Sequence, residues 1–139
     1  MIITGKLISC KREVKEFKGE KTKNNLWITL KDVDFDAKQK AEIEAAFAEV
    51  GKKMTPGWVK KFEGYVNLKT EFKLPAEDLE SKRYESVEDL IQEGFPYIGA
   101  DVKVSVNIKE GAVYPNAIKF ITEGKAFNPF AEFENDEED

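Results

Sequence analysis

Residues 101–109 read Asp-Val-Lys-Val-Ser-Val-Asn-Ile-Lys, and this segment is the strongest single indication of the fold. Its even positions from 102 to 108 are apolar and its odd positions are polar. This two-residue period is typical of a strand with one buried and one exposed face. A turn at residues 110–111 leads into a second strand-like segment at 112–122. The C-terminal part of the chain therefore predicts two consecutive strands of a sheet.

Three more strands are predicted upstream, at residues 2–17, 26–33 and 58–74. Gly5 lies inside the first of them and indicates a bulge or bend, where a small barrel needs its strand to curl. Residues 18–25 are polar and strongly basic, so we expect them to form the connection between the first two strands.

Helical spacing replaces the strand period at residues 36–54 and 86–93. Asp34 or Asp36 can cap the first helix, and Ser86 can cap the second. The first helix carries one apolar stripe, formed by Ile43, Phe47, Val50 and Met54.

The order of elements is strand, strand, helix, strand, helix, strand, strand. A five-stranded barrel with a helix between its third and fourth strands is the order of the OB fold, which binds oligonucleotides and oligosaccharides. We therefore predict an all-β protein with added helices, a five-stranded OB-fold barrel. One inserted helix lies between strands 2 and 3 and one between strands 3 and 4. The barrel is expected to occupy residues 1–124, followed by a disordered acidic tail at 125–139. SH3-like barrels and other small α+β folds remain alternatives.

Composition argues against an enzyme. The chain has no histidine, which removes the commonest general base and most zinc sites. Its one cysteine, Cys10, lies in a strand-like run and is expected to be an inert packing residue. No glycine-rich phosphate loop is present in the sequence. We expect no catalytic residue, no metal and no cofactor. The absence of a membrane-spanning apolar run and of a signal peptide leads us to expect a cytoplasmic protein without membrane contact.

Acidic charge is concentrated at the C-terminus. The net charge is −5, but six of the 27 acidic residues lie within 132–139. The rest of the chain holds 22 basic against 21 acidic side chains and is close to neutral. A terminal block of this kind is typical of a tail rather than of a folded core.

Aromatic and basic residues alternate on strand faces that a core does not require. Such a surface suits unpaired nucleic acid, because rings stack on bases and lysines track phosphates. Trp58, Phe62 and Phe72 share the apolar face of their strand and are expected in the core. Trp27 could instead cover the helix at 36–54. The residues predicted to contact DNA are Lys11, Arg12, Lys15, Phe17, Lys21, Lys23, Trp27, Lys31, Lys61, Tyr65, Lys69, Lys103, Lys109, Tyr114 and Lys119.

The tail combines aromatic rings with acids. Phe127, Phe130 and Phe133 recur every three residues and lead into the acidic run. Rings in a solvated acidic segment reduce solubility, so a docking role is the more economical explanation. The tail can compete with DNA for the protein's own basic groove, or bind partner proteins once DNA displaces it. The predicted partner-binding residues are Phe127, Phe130, Phe133, Glu134, Asp136, Glu137, Glu138 and Asp139.

Residues 111–130, Gly-Ala-Val-Tyr-Pro-Asn-Ala-Ile-Lys-Phe-Ile-Thr-Glu-Gly-Lys-Ala-Phe-Asn-Pro-Phe, lead into the acids. This segment resembles the end of the single-stranded-DNA-binding proteins of tailed bacteriophages. The resemblance implies an OB-fold replication protein that coats single strands and removes hairpins in the host cytoplasm. It also implies tail-mediated contact with replication or recombination enzymes such as a polymerase, helicase or recombinase. The helix at 36–54 departs from this pattern, and it could shield the barrel or support a homodimer.

Two other functions are compatible with the sequence. The chain could be a protein-interaction module of replication or recombination that does not itself bind DNA. It could also be an acidic DNA mimic, although a mimic should carry carboxylates along its strands, where this chain has lysines.

Overall fold

The structure is a computed structural model that describes residues 1–34, 36–49, 51, 66–109 and 112–124. Side chains at 14–17, 20–23, 109 and 112 also lie outside the described part. Strands and helices alternate irregularly along this part of the chain. The elements are β1 (Ile2–Phe17), β2 (Glu20–Asp34), α1 (Ala37–Glu49), β3 (Val66–Thr70), β4 (Ala76–Glu77), β5 (Arg83–Tyr84), α2 (Val87–Gln92), β6 (Ala100–Lys109) and β7 (Ala112–Phe120).

The described strands form one sheet in the order β3-β2-β1-β6-β7-β4-β5. All pairs are antiparallel except β4 with β7, which is parallel. Mainly β structure with two helices is therefore confirmed. The predicted closed barrel of five strands is wrong for the described residues. They form seven strands, and no ladder joins the two ends of the sheet. The two extra strands, β4 and β5, have two residues each, too short to leave a periodic pattern in the sequence.

β1 and β2 form a long hairpin, and this corrects the prediction that residues 18–25 are a connection. β2 begins at Glu20, and only Lys18 and Gly19 turn the chain. Both have positive φ, 52° and 80°. Two-residue turns of this type match the right-handed twist of paired strands, so the ladder continues to the tip.

Gly5 lies opposite a bulge, as the sequence predicts. Thr4 pairs with Asp34 and Lys6 with Lys31, so the extra residue belongs to β2. Asp32 absorbs the irregularity with φ of 53°. A Cβ at Gly5 would lie 3.1 Å from the carbonyl oxygen of Lys31, so glycine allows the bulged strand to approach closely.

The core lies on the inner face of this sheet, where strand alternation is observed as predicted. In β3, the side chains of Val66, Leu68 and Thr70 are buried and those between them are exposed. β6 buries Val102, Val104 and Val106, and β7 buries Ile118 and Phe120.

The prediction that Phe72 belongs to the core is wrong, because its side chain is 78% exposed. The strand ends at Thr70, whose hydroxyl accepts a hydrogen bond from the Phe72 N–H at 3.1 Å. The turn therefore interrupts the alternation before residue 72. Trp58 and Phe62 lie outside the described residues.

α1 lies between β2 and β3. Asp36 caps it: the Asp36 carboxylate accepts from the Gln39 N–H at 2.8 Å, and the Gln39 side chain accepts from the Asp36 N–H at 3.1 Å. Ile43 and Phe47 of the predicted stripe are buried, whereas Val50 and Met54 lie outside the described residues.

α2 follows β5, not the third strand, because two short strands precede it. Ser86 is its cap, as predicted, and its hydroxyl accepts from the Glu88 N–H at 3.1 Å.

The described body ends at Gly124. Its N–H donates to the Pro96 carbonyl at 2.7 Å, and a Cβ there would lie 2.7 Å from the carbonyl carbon of Ile98. The predicted tail at 125–139, with all its partner-binding residues, lies outside the described residues.

Candidate nucleic-acid interface

The outer face of β1, β2 and β3 carries an aromatic ring between two lysines. Lys11 pairs with Trp27 across β1 and β2, and Trp27 pairs with Lys69 across β2 and β3. Directly opposed residues of antiparallel strands point to the same side of a sheet. Since Leu26 and Ile28 are buried on the inner side, these three side chains share the outer one. We call this surface, formed by Lys11, Glu13, Trp27, Asn67 and Lys69, the Trp27 face.

Two side chains contact Trp27, one at the edge of its ring and one over the ring face. The indole N–H donates to the Glu13 carboxylate at 3.0 Å, and the Lys69 ammonium lies 5.6 Å from the ring centroid. The ring is half-buried. These contacts satisfy the only polar group of the indole and orient the ring.

The next row of the Trp27 face is polar and uncharged. Ser9, Thr29 and Asn67 are in register, and the Thr29 hydroxyl donates to the Asn67 side-chain oxygen at 2.7 Å. Lys31 lies further along the outer side of β2 and is half-buried. The structure thus brings together Lys11, Trp27, Lys31 and Lys69 of the predicted set.

Glu13 and Asn67 belong to this surface but were not predicted. Asn67 occupies an odd position on the same strand as Lys69, so its alternation already placed it there. Glu13 is harder to assign, because an extra residue near Ile8 changes which positions of β1 face outward.

Arg12 lies on the opposite side of β1 from Lys11. It pairs with the buried Leu26, and its guanidinium binds the Glu88 carboxylate of α2 at 2.6 Å. A further contact joins it to the Asn24 side chain at 3.1 Å. These contacts tie the hairpin to α2 and direct the charge away from the Trp27 face.

Four predicted residues lie on the hairpin beyond the Trp27 face: Lys15, Phe17, Lys21 and Lys23. Their backbones pair within β1 and β2, and their side chains lie outside the described part. Lys61 and Tyr65 fall entirely outside the described residues.

The remaining candidates lie on β6 and β7, away from β2 and β3. Lys103 pairs with Thr4 on one side and Lys119 on the other. Tyr114, 37% exposed, pairs with Asn107. Lys109 is the last residue of β6, with its side chain outside the described part. The structure does not bring these residues next to Trp27.

Cys10 has the surroundings of an unreactive thiol. Burial, then the negative charge of Glu88, raise its pKa to about 11, and Arg12 only partly opposes them. The described residues contain no group of three or more Cys, Asp or Glu side chains arranged to hold a metal ion. Among the same residues, no helix has both the length and the apolar composition to cross a bilayer.

Comparison with known proteins detects a likeness in structure only. No family model matches the chain. No curated protein matches it in sequence. The solved structure of the single-stranded DNA-binding protein from bacteriophage Enc34 has a TM-score of 0.52 at 15% identity, covering 99% of this chain and 90% of that one. A C-terminal truncation of the same protein gives a TM-score of 0.53 at 15% identity, covering 91% and 88%. The resemblance noted in the C-terminal sequence is thus confirmed as a likeness of fold: the chain is built like a bacteriophage single-stranded-DNA-binding protein.

Proposed function

We propose that this protein binds single-stranded DNA without sequence specificity, through the Trp27 face. The observation that carries the proposal is the direct register of Lys11, Trp27 and Lys69 across three strands. The likeness in fold to a phage protein named for this activity supports it. So does the strand order β3-β2-β1-β6-β7, which we interpret as an OB-type sheet with two short strands added.

The chemistry of the Trp27 face suits any base. A base stacked on the indole gains about 1–3 kcal/mol whatever its identity, because every base has a π face. Lys11 and Lys69 lie on either side of the ring, where they can pair with successive phosphates. Lys31 adds positive charge on the outer side of β2, and the β1–β2 ladder places the backbones of Lys15, Lys21 and Lys23 further along the same hairpin.

The biological role that we propose is in phage DNA replication, recombination and repair. Preferential binding to unpaired strands shifts the equilibrium away from hairpins by mass action, and bound protein protects the strand. The residues at 127–139 would recruit polymerase, helicase or recombinase through their rings and carboxylates.

The decisive experiment compares Trp27→Ala and Trp27→Phe with the unchanged protein. Binding of a labelled oligothymidylate is measured by fluorescence anisotropy at low salt, after urea unfolding has shown that both variants fold. Because one stacked base is lost, Trp27→Ala should weaken binding roughly 5- to 150-fold. Trp27→Phe keeps a flat ring and should retain most of the affinity.

Two results would overturn the proposal. Absence of single-strand binding by the unchanged protein at low salt, with and without residues 125–139, would favour the protein-interaction module. Binding by Trp27→Ala as tight as that of the unchanged protein would place the DNA elsewhere.

A further inference from the structure

A second concave surface lies on the outer side of β6, β7 and β4, away from the Trp27 face. It encloses about 380 Å³. Its floor is apolar and is formed by Pro75, Tyr84 and Ala117, with the 57% exposed Ile2 at one side. We call it the β7 groove. An exposed apolar concavity with a charged rim is typical of a surface that binds a peptide segment.

The rim of the β7 groove is cationic. Among the described residues that line it, Lys103, Lys119 and Arg83 are the cations and Glu77 is the carboxylate, which lies 3.4 Å from Lys119 and 3.7 Å from Arg83. A hydrogen bond from Ser81, followed by the charges of Lys119 and Arg83, lowers the pKa of Glu77, so its carboxylate remains ionised. Three cations against one anion leave the rim positive, which favours an acidic ligand.

The end of the described body lies close to this groove. The Asp101 N–H donates to the Thr122 hydroxyl at 3.0 Å, and the Ile121 N–H donates to the Asp101 carbonyl at 2.8 Å. Lys103 follows Asp101 by two residues on β6, a distance of about 7 Å. Fifteen residues remain after Gly124, and an extended segment of that length spans roughly 50 Å.

We propose that residues 127–139 of the same chain dock in the β7 groove as long as no partner protein holds them. Phe127, Phe130 and Phe133 supply rings for the apolar floor, and the acids that follow them complement the cationic rim. Because the segment is attached so near, its effective concentration at the groove is in the millimolar range, so even a weak contact is populated.

This docking leaves the Trp27 face open. Lys11 lies seven residues along β1 from Thr4, the neighbour of Lys103, and this spacing corresponds to about 23 Å. Lys103 and Lys119 accordingly act on the terminal segment and not on DNA. The inference does not require that the Trp27 face binds DNA.

The test is paramagnetic relaxation in the full-length protein. A spin label at Asn135→Cys, in a Cys10→Ala background, should broaden the backbone amide signals of Lys103 and Lys119 and leave those of Lys11 and Lys69 sharp. Broadening at Lys11 and Lys69 would place the terminal segment on the Trp27 face and overturn the proposal. Absence of broadening at all four amides would overturn it as well.

Two further samples test whether the rings are needed for docking and whether the contact is within one chain. Replacing Phe127, Phe130 and Phe133 with alanine should abolish the broadening, because the floor loses its ligand. In a second sample, spin-labelled protein without isotope enrichment is mixed with isotope-enriched protein that carries no spin label. This mixture should give no broadening, since the contact is within one chain. Broadening in the mixed sample would show that a second copy supplies the segment and would contradict the proposal.

A titration with oligothymidylate distinguishes this inference from the proposed function. We expect the groove signals to stay broadened when DNA binds. If they stay broadened and no DNA binds, the docking stands and the proposed function fails. Release of the segment by DNA would show that the two surfaces compete and would overturn the inference.

Discussion

Three consecutive residues of β1, Cys10, Lys11 and Arg12, have three different surroundings. The Cys10 thiol is partly buried against the core, the Lys11 ammonium is exposed on the Trp27 face, and the Arg12 guanidinium is bound by Glu88. The pleat of the strand explains this, because neighbouring side chains point to opposite sides. A positive charge in this strand is therefore a candidate for DNA contact only on the outer side.

The Cys10 thiol is expected to react slowly in the folded protein. Its pKa is raised from 9.0 to about 11, so at pH 8.5 the thiolate should be roughly 75-fold rarer than in the unfolded chain. Alkylation by iodoacetamide should accelerate in the native protein only as the pH approaches 11, and in urea it should do so near 9. Because the unfolded thiol ionises first, the free energy of unfolding should fall as pH rises through this window. A native midpoint near pH 9 would contradict the prediction.

At the residue scale, the sequence predicted alternation well and its interruptions poorly. Trp27 and Lys69 could be placed outward because β2 and β3 alternate without a break between residues 26 and 31 or 66 and 70. The sequence did not show which of Lys11 and Arg12 faces outward, since an extra residue near Ile8 changes the phase of β1. Phe72 was wrongly placed in the core because β3 ends at a turn in which the backbone N–H of Phe72 donates to the Thr70 hydroxyl.

The β1–β2 hairpin is the element on which the Trp27 face depends. Its ladder runs from Thr4–Asp34 to Phe17–Glu20 and includes the Lys11–Trp27 pair. The turn at the tip sets this register, because a two-residue loop with positive φ at both positions allows one pairing.

Gly19→Ala should destabilise the protein by about 1 kcal/mol, because an L-residue at φ of 80° is strained. Among the described residues, apart from the two chain neighbours of Gly19, no atom lies within 4 Å of the added Cβ, so we expect the cost to be confined to the backbone. Urea unfolding measures the loss. Lys18→Asn is the matched variant: asparagine tolerates positive φ, so stability should be unchanged or higher. Equal stability of Gly19→Ala and the unchanged protein would show that the turn does not set the register.

Long elements were predictable, but not all of their boundaries were. The bounds of β1 coincide with the predicted 2–17, since its apolar residues recur over the whole span. Residues 20–25 were assigned to a loop because lysine and asparagine favour turns locally. In the structure, pairing with β1 outweighs that preference and extends β2 to Glu20.

At the scale of the molecule, the outer side of the sheet presents two separate cationic surfaces. The Trp27 face has an aromatic ring between lysines, and the β7 groove has an apolar floor within a cationic rim. An overall charge of −5 conceals both of them, because the acids of 132–139 outweigh a nearly neutral body. The distribution of charge is therefore more informative here than its sum.

The salt dependence of DNA binding should identify which surface holds the phosphates. Each phosphate contact on a single strand adds about 0.7 to the slope of log K against log salt concentration. Lys11→Gln with Lys69→Gln should therefore reduce the slope by about 1.4. Lys73→Gln is the matched control, because this exposed lysine lies next to Glu85 at 3.4 Å and off the Trp27 face. An unchanged slope in the double variant would exclude these two contacts.

Gly124 determines where new sequence can be attached. Since a side chain there would collide with the Ile98 backbone, this position, four residues beyond the end of β7, requires glycine. Sequence joined after Gly124 leaves this contact in place, but exchanging residues 127–139 would remove the segment that we propose docks in the β7 groove. An insertion directly before Gly124 would put a side chain in the place of the glycine, push Ile98 out of position and disturb the start of β6.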